Sequence, residues 1–241
     1  LIVVYAKTNN SKTADSVSAF LIDTRTEGVH IGPTMDKVGL HTSPLCELEL
    51  TNCRVPKANM VGRLGAGFFV ISHVMQREIL YSFIISVGEM KRRLSRCVSY
   101  ANSRVQFGSP IGSFQSISNR IADMKIRYEL SRQWLYHIAD RMIASKDVSS
   151  EVAIAKVFVS ENALQSSIEA LHIHGGYGYV ASNGLGDEVC NALAGPIYSG
   201  TNDIQRGRIA AILGINNQSK PRQNVKGDIS NKVKIAKPNA Q

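Results

Sequence analysis

The chain has 241 residues, of which 44% are hydrophobic and 20% charged, a composition that builds a sizeable core and excludes disordered and fibrous classes. A formal net charge of +9 suits an anionic ligand or partner such as a nucleotide cofactor, a coenzyme A phosphate, an acidic carrier protein or nucleic acid. Lys220, Arg222, Lys226, Lys232, Lys234 and Lys237 place part of that charge in the last 22 residues, which, with no aromatic-and-glycine RNA motif or zinc-finger spacing, ranks nucleic acid last.

Cys46, Cys53, Cys97 and Cys190 include no C-x-x-C pair, which points to a reducing compartment and away from a zinc site or disulfide framework. An uncharged apolar stretch of about 18 residues and a secretory leader are both missing from the text, so a cytoplasmic protein without a membrane span is expected. The opening Leu-Ile-Val-Val-Tyr has buried-strand composition, as if the chain were entered in the middle of a sheet.

Up to about Val61 the sequence alternates β-rich runs with turn residues. Strands are expected at Leu1–Ala6, Val17–Ile22, Gly28–Ile31, Cys46–Leu50 and Cys53–Val55, forming part of an antiparallel domain over residues 1–61. Pro56 and the run Gly62-Arg-Leu-Gly-Ala-Gly67 then mark a boundary, where apolar spacing changes from two to about 3.6 residues. Helices are expected at Phe68–Asn102, Phe114–Ala144 and Ser150–Ile173, with a shorter one after Thr201. These make a helical bundle over residues 62–215. Residues 216–241 are rich in Asn, Gln, Lys and Ser and read as a disordered polar tail. The fold class is thus α+β, mainly α.

Three segments carry most of the chemistry. In Arg104-Val-Gln-Phe-Gly-Ser-Pro-Ile-Gly-Ser-Phe-Gln115, Arg104 offers a forked donor set for pyrophosphate oxygens, Phe107 a face for adenine, and Gly108 room for a sharp turn. The bland alternative is a helix-ending Arg and a core Phe. His172-Ile-His174-Gly175-Gly176-Tyr177-Gly178-Tyr179 allows close approach of backbone to a ligand, and its two histidines lack a carboxylate or Cys partner at metal-ligand spacing. Ile197-Tyr198-Ser199-Gly200-Thr201-Asn202-Asp203-Ile204-Gln205-Arg206 sets Gly200 and Thr201 at a helix start whose free amides favour an anion. A capped surface helix would explain Thr201 and Asn202 alone.

Together these segments resemble the acyl-CoA dehydrogenase family. The first is similar to a loop between bundle helices that contacts FAD bound mainly by another subunit, which implies cofactor roles for Arg104, Gln106, Phe107 and Gln115. The second resembles a Gln-x-x-Gly-Gly-x-Gly segment along the flavin pyrophosphate, implying roles for His172, Gly175 and Gly176, with His172 where many relatives have Gln. The third resembles the Ile-Tyr-Glu-Gly-Thr-x-x-Ile-Gln-Arg motif that closes the active site, implying flavin contacts at Thr201 and Asp203 and substrate contacts at Tyr198, Ser199 and Gly200. Asp36-Lys-Val-Gly-Leu-His-Thr-Ser43 and Cys53-Arg-Val-Pro-Lys-Ala-Asn59 resemble the family's β-domain text. The matches cover nearly all of Leu1–Ile215. The family's amino-terminal helical domain and its Trp-x-Thr-type strand do not appear, so the chain is expected to be a carboxy-terminal portion.

The resemblance implies removal of an α-proton from an acyl thioester by a carboxylate while hydride leaves the β-carbon for flavin N5. Ser199 stands where the carboxylate usually lies, and a hydroxyl needs a base beside it to accept a proton. Isovaleryl- and long-chain-type members carry their Glu on the first long bundle helix, and an ungapped match puts Glu78 there; a one-residue gap aligns Gln76 instead and leaves no base. Glu78 on its own reads equally as a solvated helix-face charge. The resemblance further implies FAD as cofactor, an acyl thioester on CoA or a carrier protein as substrate, an electron acceptor such as an electron-transfer flavoprotein, and a homotetramer. An oxidase passing electrons to oxygen, or a non-catalytic remnant that assembles or docks a partner, are the competing readings. No metal is expected.

Overall fold

The computed structural model describes residues 1–10 and 13–215, so the expected polar tail lies outside the described residues. Two compact units account for these, one formed by residues 1–36 and 42–75 and the other by residues 37–41 and 76–215. The chain is mainly α with a minor antiparallel β part.

In the first unit, β1 (Ile2–Lys7) pairs antiparallel with β2 (Val17–Ile22), from Ile2 opposite Ile22 to Lys7 opposite Val17. Ser18 and Ile22 of β2, four residues apart, share one face and are buried there, while Ala19 is buried on the opposite face beside exposed Leu21, the period-two alternation of a strand. Its other edge takes β5 (Met60–Val61), and β3 (Val29–Ile31) pairs separately with β4 (Leu48–Leu50). Cys53–Val55, expected as a strand, is not one. Pro56 follows it, and the chain turns through Lys57–Asn59 before pairing at β5, because a proline supplies no ladder donor.

α1 (Gly67–Ser103) begins where Gly67 meets β2 so closely that a Cβ there would lie 2.8 Å from the Ser18 carbonyl carbon. Its length matches the expected helix within a residue at each end. α1 also holds an 18-residue stretch of mean hydropathy 1.3, long and apolar enough by composition to cross a membrane. Arg77 and Glu78 fall within it, so it is not an uncharged stretch, and the expectation that no uncharged apolar run of about 18 residues occurs is unaffected.

In the second unit, residues 104–113 do more than loop. β6 (Val105–Gln106) and β7 (Ser109–Pro110) form a hairpin, with Phe107 and Gly108 at φ 51° and 79° in its two-residue turn, the positive-φ pair that matches strand twist. α2 (Gln115–Ile143) and α3 (Ser149–His174) follow as expected. α4 (Leu185–Leu193) was not expected, because Gly184 and Gly186 interrupt the helical text. Gly184 takes the left-handed conformation ahead of it, and Asp187 and Glu188 sit in its first turn, where the helix dipole favours carboxylates. α5 (Asn202–Ile212) is the short helix after Thr201.

α3 is the central helix, apolar or small on most sides, and packs on α2, α4 and α5, which is how a helix without a polar face is accommodated. One core joins Ile79, Phe83 and Met90 of α1 to Leu135 and Ile138 of α2 and Val152 and Val159 of α3. A second joins Cys97, Met124, Ala170, Ile173 and Leu185; burial there pushes the Cys97 thiol up to about 12, so it stays protonated. Arg93, only 1% exposed, ties α1 to α3 and α4 by donating to the Ala163 carbonyl (3.2 Å) and Glu188 (3.4 Å).

Candidate active site

Glu78 lies on the face of α1 that turns toward the segment before α5. Ser82, one turn on, donates its hydroxyl to Glu78 Oε1 at 3.1 Å, and Ser199, 121 positions away in sequence, donates to the same oxygen at 2.7 Å. Glu78 Oε2 is buried and has no hydrogen-bond partner among the described residues. One carboxylate oxygen is therefore committed and the other is unpartnered and free to take a proton.

The backbone that brings Ser199 there is unusual. Ser199 has φ 56° and Gly200 φ 77°, a pair of left-handed residues that reverses the chain just before α5. Gln205 steadies the turn by donating to the Ser199 carbonyl at 3.1 Å, and Thr201 caps α5 by accepting from the Ile204 amide. Tyr198 stacks on Phe83 with ring centroids 5.7 Å apart. Burial, then the nearby charges of Glu78 and Glu89, raise its phenol above the ordinary range, so Tyr198 stays neutral. Gln76 is engaged elsewhere, donating to Ser149 at 3.1 Å. The residue that meets Ser199 is Glu78, not the alternative Gln76.

A second constellation forms where α1 ends, the β6–β7 hairpin begins and α3 stops. Tyr100, Arg104, Gln106, Ile111, Ile173, His174, Gly175, Gly176 and Tyr177 line a cavity of about 670 Å³. Gly175, at φ 57°, ends α3, and a Cβ on Gly175 or Gly176 would meet nothing within 4 Å, so backbone borders open space. Tyr100 stacks on both His174 (4.2 Å) and Tyr177 (6.1 Å), making an aromatic wall. His174 hydrogen-bonds the Ala170 carbonyl through Nδ1 at 2.8 Å, and burial lowers its pKa. A guanidinium, exposed backbone next to glycines and flat aromatic faces are the donor set and surface that a dinucleotide takes. The residues present fit FAD.

Of the expected site residues, Glu78, Tyr198, Ser199 and Gly200 come together at the first constellation, and Arg104, Gln106, Gly175 and Gly176 at the second. Phe107 stands at the hairpin tip, 95% exposed and edge-on to Phe114. Gln115 is exposed at the start of α2, and Thr201 and Asp203 at the start of α5. His172 is exposed and outside the cavity lining; His174, two residues on, lines it. Sequence reasoning missed Tyr100, His174 and the buried Lys156 and Asn202. Only Lys156 left a signal, a lone cation in the apolar helical run Val152–Val159.

The family description "Acyl-CoA dehydrogenase, C-terminal domain" matches residues 65–214. An L-prolyl peptidyl-carrier-protein dehydrogenase of Serratia sp. is 36% identical over 217 residues, which are 90% of this chain and 56% of that protein. Among solved structures, a prolyl acyl carrier protein oxidase, AnaB, superposes with a TM-score of 0.86 at 35% identity, covering 88% of this chain and 56% of the other. PigA with FAD and proline gives 0.87 at 36% identity, covering 88% and 56%. The chain spans about half the length of the relatives it matches.

Proposed function

The chain belongs to the acyl-CoA dehydrogenase family, and on that footing we propose that it carries the proton-abstracting and much of the cofactor-binding half of a flavin-dependent acyl-thioester dehydrogenase. The observation that carries this reading is Glu78: two hydroxyls hold one carboxylate oxygen, and the other is buried and uncommitted. Glu78 takes the α-proton, and Ser199, standing where many relatives have the carboxylate, orients it. FAD, when bound, accepts the hydride from the β-carbon.

Arg104 would hold the pyrophosphate of a bound FAD, Gly175 and Gly176 would let backbone come close to it, and Tyr100 and Tyr177 would offer it flat aromatic surface. Phe107, exposed at its hairpin tip, serves a flavin seated mainly in a second copy, in a homotetramer. Tyr198, Ser199 and Gly200 border the acyl group. Similarity to the prolyl carrier-protein dehydrogenase of Serratia sp. and to AnaB favours an aminoacyl substrate on a carrier protein over a CoA ester, and an electron-transfer flavoprotein takes the electrons in a cytoplasmic setting. The oxidase AnaB favours oxygen as the second candidate acceptor.

Purified protein extended with its native upstream sequence, where one exists, should contain flavin that bleaches on anaerobic mixing with a prolyl carrier-protein thioester. Bleaching by short acyl-CoA alone would redirect the substrate class. Bound flavin that no thioester bleaches would sink the dehydrogenase reading, and oxygen uptake with the thioester would identify the oxidase.

A further inference from the structure

Lys156 sits about two turns into α3 with 0% exposure. A buried ammonium persists only where acceptors replace its water. Its Nζ donates to the Gly195 carbonyl at 2.9 Å and to Asn202 Oδ1 at 2.8 Å. Those two acceptors flank Pro196-Ile-Tyr-Ser-Gly-Thr201, the segment that brings Ser199 onto Glu78.

The far end of the segment is secured further. Asn202, itself buried, donates through Nδ2 to Glu161 Oε1 at 2.9 Å and to Ser160 Oγ at 3.1 Å, and Glu161 is also paired with Arg206 of α5 at 2.6 Å. One face of α3 thus grips both ends of a six-residue segment. The segment's tip needs such restraint, because Ser199 holds a positive φ that a residue with a side chain adopts at a cost. Burial pulls the Lys156 pKa down to about 8, with Glu161 and Glu78 pulling it back up, so the ammonium predominates at neutral pH.

We infer that Lys156 is a positioning residue: by clamping Gly195 and Asn202 it fixes the 196–201 segment so that Ser199 stays hydrogen-bonded to Glu78. Its consequence for turnover rests on the reading of Glu78 given above, whereas the clamp itself does not.

Two variants of the flavin-loaded protein test it, Lys156→Met, which keeps an aliphatic stem, and Asn202→Ala, which leaves the ammonium in place. Amide hydrogen exchange in peptides covering 196–204 should rise by about tenfold or more in both, with α2 peptides unchanged. The value of kcat should fall by up to about fivefold at unchanged KM, no more than in Ser199→Ala because the clamp acts through that hydrogen bond, and Ser199→Ala should cost less in the Lys156→Met background than alone, the coupling expected of groups acting in series. If Lys156→Met does not fold, Asn202→Ala carries the same readouts.

Unchanged exchange in 196–204 overturns the clamp. So does a full, additive Ser199→Ala effect in the variant background, or an untouched kcat where Glu78→Gln is inactive. Raised exchange with turnover untouched in both Lys156→Met and Glu78→Gln supports the clamp and overturns the reading of Glu78 instead.

Discussion

Glu78 and Ser199 meet in a part-buried cluster whose polar atoms are largely committed to one another, whereas the cavity at Arg104 and Gly175 presents its cation, aromatic faces and backbone outward. The first is built from residues on α1 and the turn before α5, held by side-chain hydrogen bonds over a separation of 121 positions. The second is built from a hairpin and the end of α3, held by backbone geometry. A base must be aligned before the substrate arrives, since misplacement by about 1 Å is expensive in rate. A cofactor cradle needs surface and donors more than internal bonding. Substitutions at the two places should therefore fail differently, one in rate with cofactor intact, the other in cofactor affinity.

The largest difference should come from Glu78→Gln, which is expected to lower kcat by about 10²- to 10⁴-fold while the flavin absorbance of the purified protein is unchanged. Gln76→Leu, in the same steady-state assay, should leave kcat within a few-fold, since its amide serves Ser149. A collapse there with Glu78→Gln harmless would move the site along the helix.

Arg104→Ala should weaken flavin binding by about 10- to 100-fold, the loss of a charge-assisted bond, read by equilibrium titration of apoprotein. Arg104→Lys should recover only part of it, because an ammonium does not reproduce the fork. Gly175→Ala should destabilise by about 1–3 kcal/mol, because φ 57° with ψ −141° is a region a residue with a Cβ rarely adopts, lowering Tm by roughly 2–12 °C. With Cβ space open at that position, the cost is backbone strain, so a thermal melt without flavin already shows it.

Ser199→Ala is the smallest, removing one hydrogen bond worth about 1 kcal/mol and hence slowing turnover by about fivefold, with flavin content and KM for the thioester unmoved. A larger fall than that of Glu78→Gln would break the comparison by making Ser199, not Glu78, the central group.

The sequence made the helices legible because apolar residues recur at helical spacing for long stretches in α1 and α2, and Gly, Ser and Pro mark their ends. It hid α4, whose glycines look like loop while Leu185 and Glu188 are buried. The cavity was half legible: Arg104 and the two glycines announce themselves, but Tyr100 sits mid-pattern in α1 and joins the wall only by stacking on His174. His172 resembled the family position, yet the last turn of α3 faces His174 inward and leaves His172 outside. Glu78 was reached through resemblance, because a carboxylate on an amphipathic helix has no local mark of its partner. Lys156 escaped for a similar reason. Its acceptors lie 39 and 46 positions away, so the apolar run around it hints at burial but not at what it binds.

The most direct test of the central claim is deuterium incorporation at the α-carbon of a prolyl or short acyl thioester incubated anaerobically in heavy water with flavin-loaded protein, wild type beside Glu78→Gln at matched flavin content. The account predicts α-deuterium with the wild type and a fall of about a hundredfold or more in the variant. Equal incorporation by both would contradict it and assign the α-proton to another group.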